Sequence, residues 1–130
     1  LWDRVQVARG IVSSCPHGEL VRKVEKLGLL GISVLVAGED VERVKPCADP
    51  YLLAASRLCV RPEECVVIED SASGVRSGKA ASAFTILFTA SHRPETDTAR
   101  LVELTNPDQV AGSSGELEAI LLQLGVIKES

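Results

Sequence analysis

Two periods of apolar spacing alternate along this chain. Short apolar runs at residues 7–13, 34–37, 65–68 and 84–88 lack helical spacing and read as buried strands. Between them the spacing turns helical. Leu20, Val21, Val24 and Leu27 form a stripe behind Pro16, which suits a first turn, and the stripe stops at Gly28. Asp49 is expected to cap a helix opening on Pro50, with Leu52, Leu53, Ser56 and Cys59 turned inward. A further helix is expected over 73–82. Ser113 and Glu116 have capping-box spacing ahead of Leu117, Ile120, Leu121 and Leu124, which predicts a final helix. Residues 91–110 are polar with two prolines, and a short strand over 101–104 is expected there. Strands alternating with helices predict an α/β domain spanning 1–130, built on a parallel sheet with helices on both faces. Ligands then sit at the carboxyl ends of the strands.

Composition narrows the function classes. With 130 residues and 45% hydrophobic content, one core can be buried, and at 3% aromatics that core must be filled by Leu, Val, Ile and Ala. A formal charge of −4 with no run of Lys or Arg argues against nucleic acid as a partner. No apolar run approaches 18 residues and no charged-then-apolar leader is present, so no membrane association or signal peptide is expected. Cys15, Cys47, Cys59 and Cys65 show neither C-x-x-C pairing nor zinc spacing with His17 or His92. Reduced thiols in a cytoplasmic protein follow, with Cys59 and Cys65 acting as small hydrophobes. Cys15, before Pro16 at a helix start, is the one thiol whose pKa could be lowered, and no base is in view to use it. Both histidines are expected at the surface.

The chemistry gathers at three strand ends. The strand over 65–68 runs into Glu69 and Asp70, then Ser71, Ser73 and Gly74 at a helix start. The first strand ends on Ser13 and Ser14, and Lys45-Pro46 follows the second. A hydroxyl, an ammonium and an acid pair suit a phosphate with a divalent metal, because hydroxyl and ammonium can hold phosphoryl oxygens while the acids hold the cation. Each also has a plainer role: Ser13 and Ser14 as a strand-to-helix turn, Lys45 as a solvated loop residue, Glu69 and Asp70 as acids at a helix N-terminus. Glu39 and Asp40 read as turn residues.

These words resemble the haloacid dehalogenase-like hydrolases, in the branch of beta-phosphoglucomutases and sugar-phosphate or phosphoglycolate phosphatases. Residues 11–14 match the second family motif, Gly38-Glu39-Asp40 with Lys45-Pro46 and Asp49-Pro50-Tyr51 the third, and residues 65–71 with Gly74-Val75 the fourth. The resemblance implies a Rossmann-like core. It implies that Ser13 contacts phosphate with help from Ser14 and the helix start, and that Lys45 binds the transferring phosphoryl group and orients the nucleophile. It implies that Asp70 and Glu69 position Mg²⁺, Asp70 directly or through water and Glu69 mostly through water. The family's first motif, whose leading Asp is the nucleophile, and the substrate-selecting cap have no counterpart in the sequence. The expectation is therefore a truncated, capless core acting on a small phosphorylated metabolite and inactive by itself. The alternative is a non-catalytic remnant that binds a phosphorylated ligand or a protein. In the family the first-motif strand lies between the strands ending at Ser13 and Glu69. A homodimer, an additional N-terminal segment, or residues 1–10 folding inward are the expected ways to fill that place. Ser82, where the family has glycine, is expected to sit in a left-handed helix end at a cost of about 1 kcal/mol.

Overall fold

The computed structural model describes residues 5–127. Two parallel sheets carry the fold. In the first, β1 (Arg9–Val12) pairs with β2 (Ile32–Val36), placing Gly10 opposite Val34 and Val12 opposite Val36. In the second, β3 (Val66–Glu69), β4 (Phe84–Phe88) and β5 (Gln109–Ala111) lie side by side, with Ile68 opposite Ile86 and Glu69 opposite Leu87. Helices α1 (His17–Leu27), α2 (Asp49–Arg57), α3 (Ala72–Ala80), α4 (Thr98–Thr105) and α5 (Ser114–Gln123) alternate with the strands, as parallel pairing requires. Strand carboxyl ends within each sheet therefore share one edge.

β4 sits between β3 and β5 and is buried on both faces, so its residues are apolar without alternation save Thr85, whose hydroxyl donates to the Ala83 carbonyl. Ile86 and Leu87 are fully buried, and Ile86 packs with Ala111, Leu117, Leu121 and Ile127 under α5. On the other face α3 comes close: a Cβ on Gly78 would stand 2.6 Å from the Thr85 hydroxyl, so only glycine allows this approach. In the first sheet, Val34 and Val36 pack with Ala54 of α2. Leu20 is the buried anchor of α1, while Leu27 is 70% exposed.

β1 has one neighbour, β2, and β3 has one neighbour, β4; no described residue pairs with their other edges. Residues 5–10 do not enter that place. Val5 bridges antiparallel to Ile127, the Gln6 N–H donates to the Val126 carbonyl at 3.0 Å, and Arg9 and Gly10 belong to β1. Residues 1–4 lie outside the described residues.

Several expectations shift. β1 is shorter than residues 7–13, and ahead of it Val5 and Gln6 pair with Ile127 and Val126. Asp49 does not cap α2: it opens the helix, its carboxylate meets Arg43, and Pro50, Ala54 and Ala55 are the buried residues. Leu52 is 45% exposed, Ser56 is exposed, and Cys59 ends exposed at φ 58°. Residues 101–104 are helical rather than extended. The Asp97 carboxylate accepts from the Arg100 N–H at 3.0 Å and so starts α4, which stops at Asn106 with φ 47°. In α5 the Ser113 hydroxyl accepts from the Glu116 N–H, while the Glu116 carboxylate takes the Gly112 N–H, one residue earlier than a capping box would. Ser82 does adopt the left-handed geometry, at φ 67°. No described helix is long and apolar enough to cross a membrane.

Candidate active site

Lys45 lies where the two sheets meet. Its Nζ donates to the Val12 carbonyl at the end of β1 (3.1 Å) and to Glu69 Oε2 at the end of β3 (2.5 Å). The pair is sheltered, with side-chain exposures of 12% and 9%, so it is screened far less than a surface ion pair. Tyr51, from the first turn of α2, donates its phenol hydrogen to the same Oε2, and its ring lies 5.4 Å from the ammonium. Burial, then the Glu69 carboxylate, pushes the Tyr51 phenol far above its ordinary pKa, so it stays a neutral donor. Gly74 completes the cradle. A Cβ there would overlap the Glu69 carboxyl group, so the glycine in α3 lets that side chain lie against the helix. Ser77 braces the arrangement from behind by donating to the Cys47 carbonyl at 2.6 Å, which fastens the Lys45 loop to α3.

An ammonium has three N–H donors. Among the described residues Val12 and Glu69 take two, leaving one for an incoming oxygen.

Ser13 is held in a local turn. Its hydroxyl accepts from the Cys15 N–H at 3.2 Å and donates to Cys15 Sγ at 3.0 Å, and its own N–H donates to the Val36 carbonyl at 2.9 Å. Sulfur is a weak acceptor, so that hydroxyl hydrogen is readily redirected to a stronger oxygen. Ser14 is exposed, and its carbonyl lies so close to Gly38 that a side chain there would collide with it. Glu39 accepts from the His17 N–H at the start of α1, and Asp40 accepts from the Ala37 N–H at 2.8 Å; both act as turn residues.

The two acids divide. Glu69 is sheltered and committed to Lys45 and Tyr51, whereas Asp70 is exposed and no described cation pairs with it. The described residues hold no cluster of three side chains able to bind a metal. Mg²⁺ fits this sparse set of hard oxygens, because it keeps most of its waters and uses one or two carboxylates together with phosphate oxygens. Ser71, not the acids, caps α3, its hydroxyl accepting from the Gly74 N–H at 3.1 Å. The structure thus brings Lys45 and Glu69 into contact and ties Ser13 to the same strand end through Val12.

Sequence reasoning gave Tyr51 no role and placed His92 at the surface. The first was legible as a phenol in the first turn after Lys45. The second was not, since the His92 ring bonds a backbone carbonyl 22 residues away as well as a threonine six residues on.

Comparison with known proteins finds relatives for the chain. A family model described as haloacid dehalogenase-like hydrolase matches residues 4–88. Hexitol phosphatase A of Escherichia coli is 46% identical over 77 residues, covering 59% of this chain and 34% of that protein. Validoxylamine A 7'-phosphate phosphatase of Streptomyces hygroscopicus is 33% identical over 94 residues, covering 72% and 44%. A crystal structure of a HAD family hydrolase from Deinococcus radiodurans, with bound phosphate and sodium, superposes with a TM-score of 0.79 at 31% identity. It covers 95% of this chain and 54% of that one. The chain spans less than half the length of the two curated relatives.

Proposed function

The chain belongs to the haloacid dehalogenase-like hydrolase family, and on that premise we propose that it carries the phosphate- and cation-holding side of an Mg²⁺-dependent phosphatase or phosphomutase site. The observation that carries this reading is Lys45 Nζ, held between the ends of β1 and β3 with one donor left over. That donor takes a phosphoryl oxygen, and the Ser13 hydroxyl turns from Cys15 to a second. Asp70 would hold the cation together with Glu69, which also keeps Lys45 oriented. Mg²⁺, when bound, supplies charge neutralisation on the phosphoryl oxygens. Lys45 adds a fixed positive charge where negative charge develops. The substrate class is a small phosphorylated metabolite; the names of the relatives, both phosphatases, support it. The four free thiols suit a reducing cytoplasm.

Glu69 is the only described carboxylate against Lys45, and it is already committed there. Attack on phosphorus therefore needs a carboxylate from outside the described residues, which by themselves bind and orient without turnover. Inorganic phosphate with Mg²⁺ is expected to raise the thermal midpoint, since a ligand of the folded state stabilises it. Aryl phosphate hydrolysis is expected to be no faster than in Lys45→Ala. A midpoint unmoved by phosphate would overturn the site, and robust turnover that vanishes in Lys45→Ala would overturn the division of labour.

A further inference from the structure

The β3 ladder ends at Glu69, opposite Leu87, so Asp70 lies just beyond the sheet that could hold its main chain. Its carbonyl is taken instead by His92 Nε2, 2.7 Å away, from the loop that follows β4. The other ring nitrogen, Nδ1, is 2.9 Å from the hydroxyl of Thr98, the first residue of α4. A carbonyl can only accept, so Nε2 carries the hydrogen; in the neutral ring Nδ1 then accepts from Thr98. The loop that carries the ring is itself rooted in the sheet. The His92 N–H donates to the Thr89 carbonyl at 3.0 Å, and the Thr89 N–H donates to the Ala111 carbonyl of β5 at 2.9 Å. Thr98 therefore holds the imidazole, the two backbone bonds hold its loop, and the imidazole fixes Asp70.

We propose that His92 is a positioning residue for this site: it clamps the Asp70 main chain to α4 and β5, and so sets the direction in which the Asp70 carboxylate leaves β3. The functional half of this rests on the reading of Asp70 as the cation-holding acid. The clamp itself does not. Sheltered Glu69 is located by Lys45, Tyr51 and Gly74, but exposed Asp70 has no side-chain partner of that kind among the described residues, so its aim depends on the backbone.

The clamp is tested by isosteres. The amide nitrogen of glutamine reaches the position of Nε2, whereas asparagine reaches only that of Nδ1. The Gly74 amide, bonded to the Ser71 hydroxyl, and the Val75 amide, bonded to the Ser71 carbonyl, report on the turn that Asp70 enters. In the metal-free chain, His92→Ala and His92→Asn are expected to speed hydrogen exchange at both amides by about fivefold, the effect of one lost hydrogen bond. His92→Gln is expected to stay near the parent rate. Titration with Mg²⁺ in inorganic phosphate is expected to give the same ranking of affinities. Exchange unchanged in His92→Ala, or raised equally in His92→Gln, would overturn the clamp. Exchange and thermal midpoint that move without any change in Mg²⁺ affinity would overturn the positioning role. A parent chain that binds no Mg²⁺ while the exchange ranking holds would instead refute the cation site and leave the clamp standing.

Discussion

The two sheets differ in how they are covered. In the β3–β4–β5 half, α3 lies over one face and α5 over the other, and Ile86, Leu87 and Ala111 have no exposure at all. The β1–β2 half is covered by α2 through Val34, Val36 and Ala54, while α1 contributes Leu20 and leaves Leu27 exposed, as is Leu30 in the loop that follows. One half is a finished core and the other is an open one. The site lies on the seam between them, where the described connection at the strand ends is made by side chains: Lys45 to Val12 on one side and to Glu69 on the other. A charged pair in that position links the halves without a backbone ladder, and so the same contact that builds the site also aligns the sheets.

The largest expected effect concerns the seam as a whole. A parallel neighbour for β1 needs a crossover of about a dozen residues, so residues 5–8 cannot both cross over and pair. We propose that a second copy pairs with the edges of β1 and β3 that no described residue covers, because apolar edges left open invite another strand. Light scattering at micromolar concentration is expected to give twice the 13.8 kDa of one chain. A stable monomer would break the proposal. Next in size is the contrast between cores. Ile86→Ala is expected to cost about 2–5 kcal/mol in chemical denaturation, against no more than about 0.5 kcal/mol for Leu27→Ala in the open half. Equal costs would show that the halves are not differently packed.

A smaller effect is expected of Gly74→Ala, whose methyl would displace the Glu69 carboxylate. A loss of about 1–3 kcal/mol follows from overpacking, together with weaker phosphate binding through a misplaced Lys45. The smallest is confined to acid. Partial burial acts to raise the Asp108 pKa, but the Thr85 N–H and Lys79 outweigh it and hold the carboxyl below its ordinary value. A depressed pKa stabilises the fold above the unfolded value of about 3.9 and ceases to do so as pH falls through the folded one. Asp108→Asn is therefore expected to flatten the decline in stability below about pH 4 and to leave the site untouched. An unchanged acid limb would contradict that assignment.

Strands were legible where burial on both faces removes alternation: the run 84–88 coincides with β4. Helix α1 and its stop at Gly28 were equally plain, since φ 65° there favours glycine, although Leu27 of the expected stripe is exposed. What escaped was set by partners distant in sequence. The end of β5 exposes two of its three residues and has no period of its own, and α4 is marked locally only by the Asp97 cap. Asp49 looked like a cap until Arg43 took its carboxylate. At the site, Lys45 and the acid pair were visible as residue types at strand ends. Their division was not, because the commitment of Glu69 depends on Tyr51 and on the space above Gly74.

In the proposed function Lys45 and Asp70 together hold phosphate with a cation across the seam. Calorimetric titration of inorganic phosphate in Mg²⁺ tests it most directly. Lys45→Ala alone would leave sheltered Glu69 unpaired at a cost of about 3–5 kcal/mol, so the informative variant removes both charges, Lys45→Met with Glu69→Gln. The parent chain is expected to bind saturably, Asp70→Asn to bind at least about tenfold more weakly, equivalent to about 1.4 kcal/mol, and the double variant not to bind. Binding that is equally tight in all three proteins would contradict the claim.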